Sequence, residues 1–143
     1  MALSTYTTPA PFTIAPDENC YSALVANATA RPDTVLFTKP EDHRWRDVTA
    51  AEFVAEVREV AKGLIALGAQ KGDRVALLSG ARYEWAVVDF AIMAAGLTTA
   101  AIYPTSSLDQ VQWIVEDSGA VIAIGERPEH GSMFSSVCLL YTS

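Results

Sequence analysis

The side chains of this sequence that could do chemistry are few and scattered. Cys20 and Cys138 stand far apart and form neither a disulfide framework nor a metal-binding spacing. They read as buried or incidental thiols. His43 and His130 lie in polar segments without ligand spacing and read as surface histidines. None of Ser79, Ser106, Ser107, Ser118, Ser132, Ser135 and Ser136 sits in a nucleophile-elbow context. Glu116 and Asp117 are adjacent, so on a helix they splay apart and read as a solvated end rather than an acid/base pair. Two turns remain. Ser79-Gly80-Ala81 falls between an expected strand and an expected helix, where a phosphate-binding loop would sit. A single glycine is not the dinucleotide fingerprint, no P-loop occurs, and the stretch reads as a turn. Tyr103-Pro104-Thr105-Ser106-Ser107 closes a strand and is the best candidate for a ligand edge, because ligands of open α/β sheets gather at the carboxyl ends of strands. The same residues also read as a turn feeding a helix N-cap. The residues themselves therefore nominate no catalytic, cofactor-binding or metal-ligating side chain.

The elements that would position these turns are clearer. Residues 73–79 form a short apolar run bounded by Gly72 and Gly80, residues 83–95 a helix stopped by Gly96, and residues 97–103 a second apolar run closed by Pro104. Two short strands joined by a helix predict a βαβ unit and a parallel sheet. Ser107 and Gln110 have capping-box spacing and open a helix over 108–117. A further strand follows over 120–124, giving β–α–β–α–β. Upstream, residues 19–30 predict a short helix, residues 34–38 and 44–48 a hairpin with its turn at 39–43, and residues 49–67 a long helix. Thr49 and Glu52 make that helix's capping box, and Phe53, Val57, Val60, Leu64 and Leu67 its buried stripe. Gly63 sits inside it as a close-packing point or a tolerated cost. The fold class is thus α/β: an N-terminal β-hairpin and long helix followed by a βαβαβ unit. Residues 1–17, rich in Thr, Pro and Ala, read as an extended arm. Residues 126–137, polar and mixed, are assigned no element.

The helix over 83–95 carries Trp85, Val87, Val88, Phe90, Ala91, Ile92 and Ala94 around its circumference, with only Glu84 and Asp89 charged. A helix apolar nearly all round is buried on more than one side. A chain of 143 residues supplies one domain by length but little material to cover it twice.

Half of the residues are hydrophobic and the formal net charge is −7, which argues against disorder and against a general nucleic-acid binder. No Lys or Arg occurs from Tyr83 to Glu126, so that half is a poor place for triphosphate chemistry. The N-terminus has neither the basic start nor the sustained apolar core of a signal peptide. The most apolar segment, residues 90–103, is shorter than a membrane span. A soluble, cytoplasmic protein is expected.

Several stretches together carry a family resemblance: W-R-D-V-T at 45–49, G-A-Q-K-G-D-R-V-A-L-L-S at 68–79, Glu84-Trp85, Asp89, Ala91-Ile92, A-A-G at 94–96, Y-P-T-S-S at 103–107, Asp109-Gln110 and E-D-S-G-A at 116–120. Over roughly residues 18–124 the sequence resembles the N-terminal part of the adenylate-forming (AMP-binding) superfamily, and within it bacterial long-chain fatty acid–CoA ligases. The resemblance implies residues 18–125 as part of the large N-terminal domain of an enzyme several times longer. It also implies the reaction: ATP and a fatty acid give an acyl-adenylate and diphosphate, and CoA then displaces AMP to give the thioester. ATP, Mg2+ and CoA are the implied cofactors of the parent enzyme, with none expected on these residues alone. The implied partners are the fatty acid and the remainder of the same chain. The family's phosphate loop, its aromatic-Thr-Glu motif, its ribose-binding Asp and its catalytic Lys have no counterpart here, so no catalytic residue is carried over. The scaffold role agrees with the uncovered apolar helix and predicts a marginal, aggregation-prone and inactive isolated piece.

Two alternatives stay open. One is another adenylate-forming enzyme: a fatty acyl–AMP ligase, a carboxylic acid reductase, or a ligase of aryl or short-chain acids. The other is a small non-enzymatic α/β binding module. Finally, residues 138–143 (C-L-L-Y-T-S) are what one frame of a transposase mosaic-end sequencing adapter encodes, and a translated adapter is expected there.

Overall fold

Thr49 ends a strand and opens a helix, and the N-terminal half turns about that point. The structure, a computed structural model, describes residues 5–16 and 18–138. Its elements run α1 (Cys20–Ala30), β1 (Val35–Glu41), β2 (Arg44–Thr49), α2 (Ala50–Ala66), β3 (Arg74–Leu78), α3 (Tyr83–Ala94), β4 (Thr98–Ile102), α4 (Leu108–Ser118), β5 (Ile122–Gly125) and α5 (Pro128–Cys138). The expected adapter segment past Cys138 lies outside the described residues. Thr49 Oγ1 accepts the Glu52 N–H at 3.3 Å while Glu52 Oε2 accepts the Thr49 N–H at 2.8 Å, so two orphan donors are satisfied reciprocally. The same box recurs at Ser107 and Gln110 ahead of α4.

β1 and β2 pair antiparallel, with Glu41 opposite Arg44. The turn expected over 39–43 is shorter. Lys39, Pro40 and Glu41 belong to the strand, and only Asp42 and His43 turn, at φ +47° and +64°. Two consecutive left-handed residues match the right-handed twist of a two-residue hairpin. Pro40 stays within β1 because a two-stranded ribbon leaves each strand one edge that needs no N–H.

β3, β4 and β5 make a parallel sheet in the order β4-β3-β5, with β3 central and four of its five residues buried. Alternate residues of β3 feed different cores. Val75 joins Phe53, Val57, Leu64, Val87 and Ile92, while Ala76 and Leu78 join Ile102, Val111 and Phe134. α2 and α3 therefore cover one face and α4 and α5 the other, a three-layer α/β arrangement. α1 is tied to this frame by Asn19 Nδ2, which donates to the Met93 carbonyl at 3.2 Å, and by Arg58 Nε, which donates to Tyr21 Oη at 3.0 Å. α3 packs on α1, α2 and β4, in keeping with its all-round apolar surface. No helix among the described residues is long and apolar enough to cross a membrane.

Three expectations need correction. Leu67 is not in the buried stripe of α2: it is the C-cap and 74% exposed, because the helix ends one residue earlier at Ala66. Residues 126–137, left without an element by the sequence, are mostly α5, whose Phe134 is buried under β3. His130 is not a surface histidine but a buried one. Gly63 proves to be tolerated rather than a packing point, since an added Cβ would meet nothing within 4 Å. Gly63→Ala is therefore expected to stabilise the chain by about 0.4–1 kcal/mol through a less mobile unfolded state and better helix propensity. A rise in the urea midpoint checks this.

Candidate functional site

The carboxyl ends of β3 and β4 turn away from the sheet through residues 79–82 and 103–107, which take in the two stretches singled out from sequence, 79–81 and 103–107. Between them lies a cavity of about 510 Å3, walled by residues 79–81, Trp85 and residues 101–104. Both turns thus border one space at the strand ends, where open α/β sheets take ligands. The lining is mainly apolar. Trp85 reaches it from the first turn of α3, and Tyr103, 80% exposed, stands at its rim. Within 103–107 the Ser106 N–H donates to the Tyr103 carbonyl at 3.0 Å, and Ser107 caps α4. The Ser107 hydroxyl is thereby committed to the helix cap, and of this turn only residues 103 and 104 wall the cavity.

The 79–82 turn is filled by an acidic side chain that sequence reasoning did not select. Glu126, the residue after β5, accepts the Gly80 N–H on Oε2 at 2.8 Å. Its other oxygen, Oε1, lies 3.2 Å from Arg82 Nη1. Ser79 Oγ lies 3.0 Å from the Gly80 carbonyl and 3.3 Å from Glu126 Oε2. The Gly80 N–H, assisted by Arg82 and Arg127, holds the Glu126 carboxyl below the usual carboxylate range against the cost of its partial burial. Arg82 also donates to Glu84 Oε2 at 2.6 Å; that bond lowers the Glu84 carboxyl and raises the guanidinium. Next to this group, burial pushes the Tyr83 phenol upward, aided by its bond to Glu56. Lys39 Nζ lies 4.3 Å over the Tyr83 ring.

His130 reaches the same corner from α5. Its Nδ1 stands 3.0 Å from the Leu78 carbonyl, and because a carbonyl only accepts, that nitrogen carries the proton. The Leu78 carbonyl also accepts the Glu126 N–H at 3.1 Å. One sequence signal could have found Glu126: it is the first residue past a parallel strand, at the sheet's carboxyl edge. The other nominated groups do not converge. His43 lies exposed in the hairpin turn, Cys20 is exposed and free, and Glu116 is engaged by Gln112 on the surface of α4.

Among the described residues no three His, Cys, Asp or Glu side chains gather to hold a metal ion. The one turn placed to receive a phosphate already holds a carboxylate, and a second anion there would be repelled. These residues do not fit ATP or Mg2+.

A model of the family described as AMP-binding enzyme matches residues 24–138, which takes in both sheets and α5. The chain is 43% identical over 129 residues to the long-chain-fatty-acid–CoA ligase FadD15 of Mycobacterium tuberculosis, covering 90% of this chain and 22% of that protein. It spans about a fifth of the length of this curated relative and of its Mycobacterium bovis counterpart. The solved fatty acyl-adenylate ligase from L. pneumophila, in complex with acyl adenylate and pyrophosphate, superposes with a TM-score of 0.68 at 26% identity, over 80% of this chain and 20% of that one. The putative long-chain-fatty-acid CoA ligase from Rhodopseudomonas palustris shares the fold with a TM-score of 0.75 at 21% identity, over 87% of this chain and 30% of its own. A match that runs from α1 through the last helix, with a backbone common to solved adenylate-forming ligases, makes the chain a member of the AMP-binding enzyme family.

Proposed function

We propose that these residues are the N-terminal scaffold of a long-chain fatty acid–CoA ligase, which converts ATP, a fatty acid and CoA into acyl-CoA, AMP and diphosphate through an acyl-adenylate. The observation that carries this reading is the 43% identity to FadD15 over nine-tenths of the chain. Mg2+ serves with ATP, and the reaction runs in the cytoplasm. The groups that bind nucleotide and perform the transfer belong to the remainder of the polypeptide, outside residues 1–143.

Two structural observations support a scaffold role. The outer edges of β4 and β5 have no paired strand among the described residues. Tyr103, Trp113 and Val121 are more than half exposed. In the larger domain these surfaces are covered, as parallel sheets generally are. The identity of 26% to a fatty acyl-adenylate ligase keeps one second reading in play, in which the acyl group passes to an acceptor other than CoA.

The test is the complete reading frame, expressed and supplied with palmitate, ATP, Mg2+ and CoA. Diphosphate, AMP and palmitoyl-CoA are expected in equal amounts. Accumulation of acyl-adenylate without thioester selects the second reading. Failure to form any adenylate across fatty, aryl and short acids overturns the enzyme reading and leaves a binding module. Residues 1–143 alone are expected to turn over nothing.

A further inference from the structure

The corner around Glu126 has a topological peculiarity. β3 and β5 are neighbours in the sheet, yet the helix after β3 packs on one face and the helix after β5 on the other. Adjacent strands whose outgoing connections part in this way form a switch point, the crevice that doubly wound folds use for ligands. Here a small cavity of about 250 Å3 opens at that crevice beside Leu77, Trp85 and Ile124. Its polar end is already satisfied. The Gly80 N–H, the Ser79 hydroxyl and the Arg82 guanidinium converge on one carboxylate, and Glu126 supplies it from across the sheet.

We propose that the 79–82 turn is a carboxylate receptor whose resident ligand is Glu126, and that this internal clasp holds the turn and the Trp85 wall of the neighbouring cavity in place. The inference concerns the site's conformation and stands apart from the reaction assigned to the whole enzyme. Its physical content is a difference in partners. Arg82, the N-cap of α3, makes no side-chain cap hydrogen bond, and no local side chain accepts the Gly80 N–H. Glu126 supplies that acceptor from a distant point of the sequence, with its side chain only 16% exposed. Loss of the carboxylate leaves the Gly80 N–H without its acceptor.

The clasp responds to acid with a defined sign. A carboxyl group held below its ordinary value stabilises the folded arrangement at pH above that value and stops doing so as pH falls through the lowered one. The charged groups facing Glu126 are Arg82 at 3.2 Å and Arg127 at 3.8 Å. Glu84 faces it through the shared Arg82, Lys39 of β1 lies across the open cavity, and His130 of α5 meets the same Leu78 carbonyl. Glu84, the one acidic group among them, is itself held by Arg82. The clasp is therefore closed at neutral pH and opens below the usual carboxylate range.

Hydrogen exchange of a peptide spanning residues 77–83, corrected for intrinsic rates and measured on the full-length protein, reads the clasp directly. The α2 peptide over residues 53–64 serves as the control for global unfolding. At neutral pH, Glu126→Ala is expected to speed exchange in the 77–83 peptide about tenfold, the size of one ordinary hydrogen bond lost. Acetate is expected to restore protection where equal chloride does not. Glu126→Gln keeps an acceptor for Gly80 and is expected to exchange at an intermediate rate without the acid-induced rise seen in the parent. Unchanged protection in Glu126→Ala overturns the clasp. So does an acid response that survives in Glu126→Gln, or one that keeps step with the α2 peptide. If Glu126→Ala fails to fold, Glu126→Gln and its pH profile decide alone.

Discussion

Replacing Phe53 by alanine is expected to lower the unfolding free energy by about 3–5 kcal/mol. Phe53 is 1% exposed and sits where three elements meet. Its ring lies 4.8 Å from that of Phe37 on β1, 5.6 Å from Phe90 and 6.0 Å from Tyr83 on α3. The substitution removes a large apolar side chain from water-free surroundings and ends three tilted or edge-on ring contacts, each worth up to about 1.5 kcal/mol beyond area alone. The surrounding rings belong to different elements, so the void cannot close by one small shift, and the cost falls at the high end for such changes. Against a total stability of about 5–15 kcal/mol for an ordinary domain, that is a large fraction of the margin against unfolding. The measurement is the urea midpoint at unchanged slope, with Phe53→Leu as the milder companion at under about 1.5 kcal/mol. A loss below about 1 kcal/mol for the alanine variant would mean that the hairpin does not pack on α2 through this ring.

Gly125→Ala is expected to cost about 1–3 kcal/mol, toward the upper end, for the opposite reason. A Cβ at that position would stand 2.5 Å from His130 Cβ, closer than real side chains approach. Gly125 is fixed by its register with Leu78, so α5 must yield. Moving α5 strains the bond from His130 Nδ1 to the Leu78 carbonyl and lifts Phe134 from the second core. The collision is with one atom, which gives the prediction a second arm. His130→Gly removes that Cβ, and in the doubly substituted protein most of the Gly125→Ala loss should vanish, a coupling of about 1–2 kcal/mol. Additive losses would show that the strain lies elsewhere. The dependence on a specific partner is what separates this case from a simple glycine-to-alanine change such as Gly63, where no partner exists.

How much of this was legible in sequence depends on how local each cause is. Helix ends were readable because their causes lie within four residues: Thr49 with Glu52, Ser107 with Gln110, and the left-handed Gly96 and Gly119. The hairpin was readable but its turn was not. Pro40 reads as punctuation in sequence, whereas β1 continues through it because the outer edge of a two-stranded ribbon needs no N–H. α5 was hidden by composition. His130, Met133 and Phe134 fall at i, i+3 and i+4, a helical stripe, but a histidine and a run of serines obscured it. The strand order was not readable at all, because a βαβαβ pattern does not say on which side of β3 the last strand lands. The same holds for Glu126, whose partner Gly80 is 46 residues away. The walls of the site were turns and could be found by their punctuation. Its polar content came from a long-range contact and could not.

The placement of β5 on the far side of β3 bears on how the chain acquires its shape during synthesis. β3 and β4 are close in sequence and can pair as soon as both have left the ribosome. The other edge of β3 waits for residues 122–125, through the whole of α3, β4 and α4. At about 5–20 residues per second that wait lasts a few seconds. Throughout it, an apolar central strand, uncharged from Val75 to Leu78, presents open backbone donors and acceptors to its surroundings. Long-range parallel pairing of this kind is intrinsically slow, because loop closure must precede any gain from contact. The nascent chain is therefore most exposed to wrong strand partners in the interval before β5 emerges. A chaperone that shields short apolar stretches would act most usefully on β3 during that window.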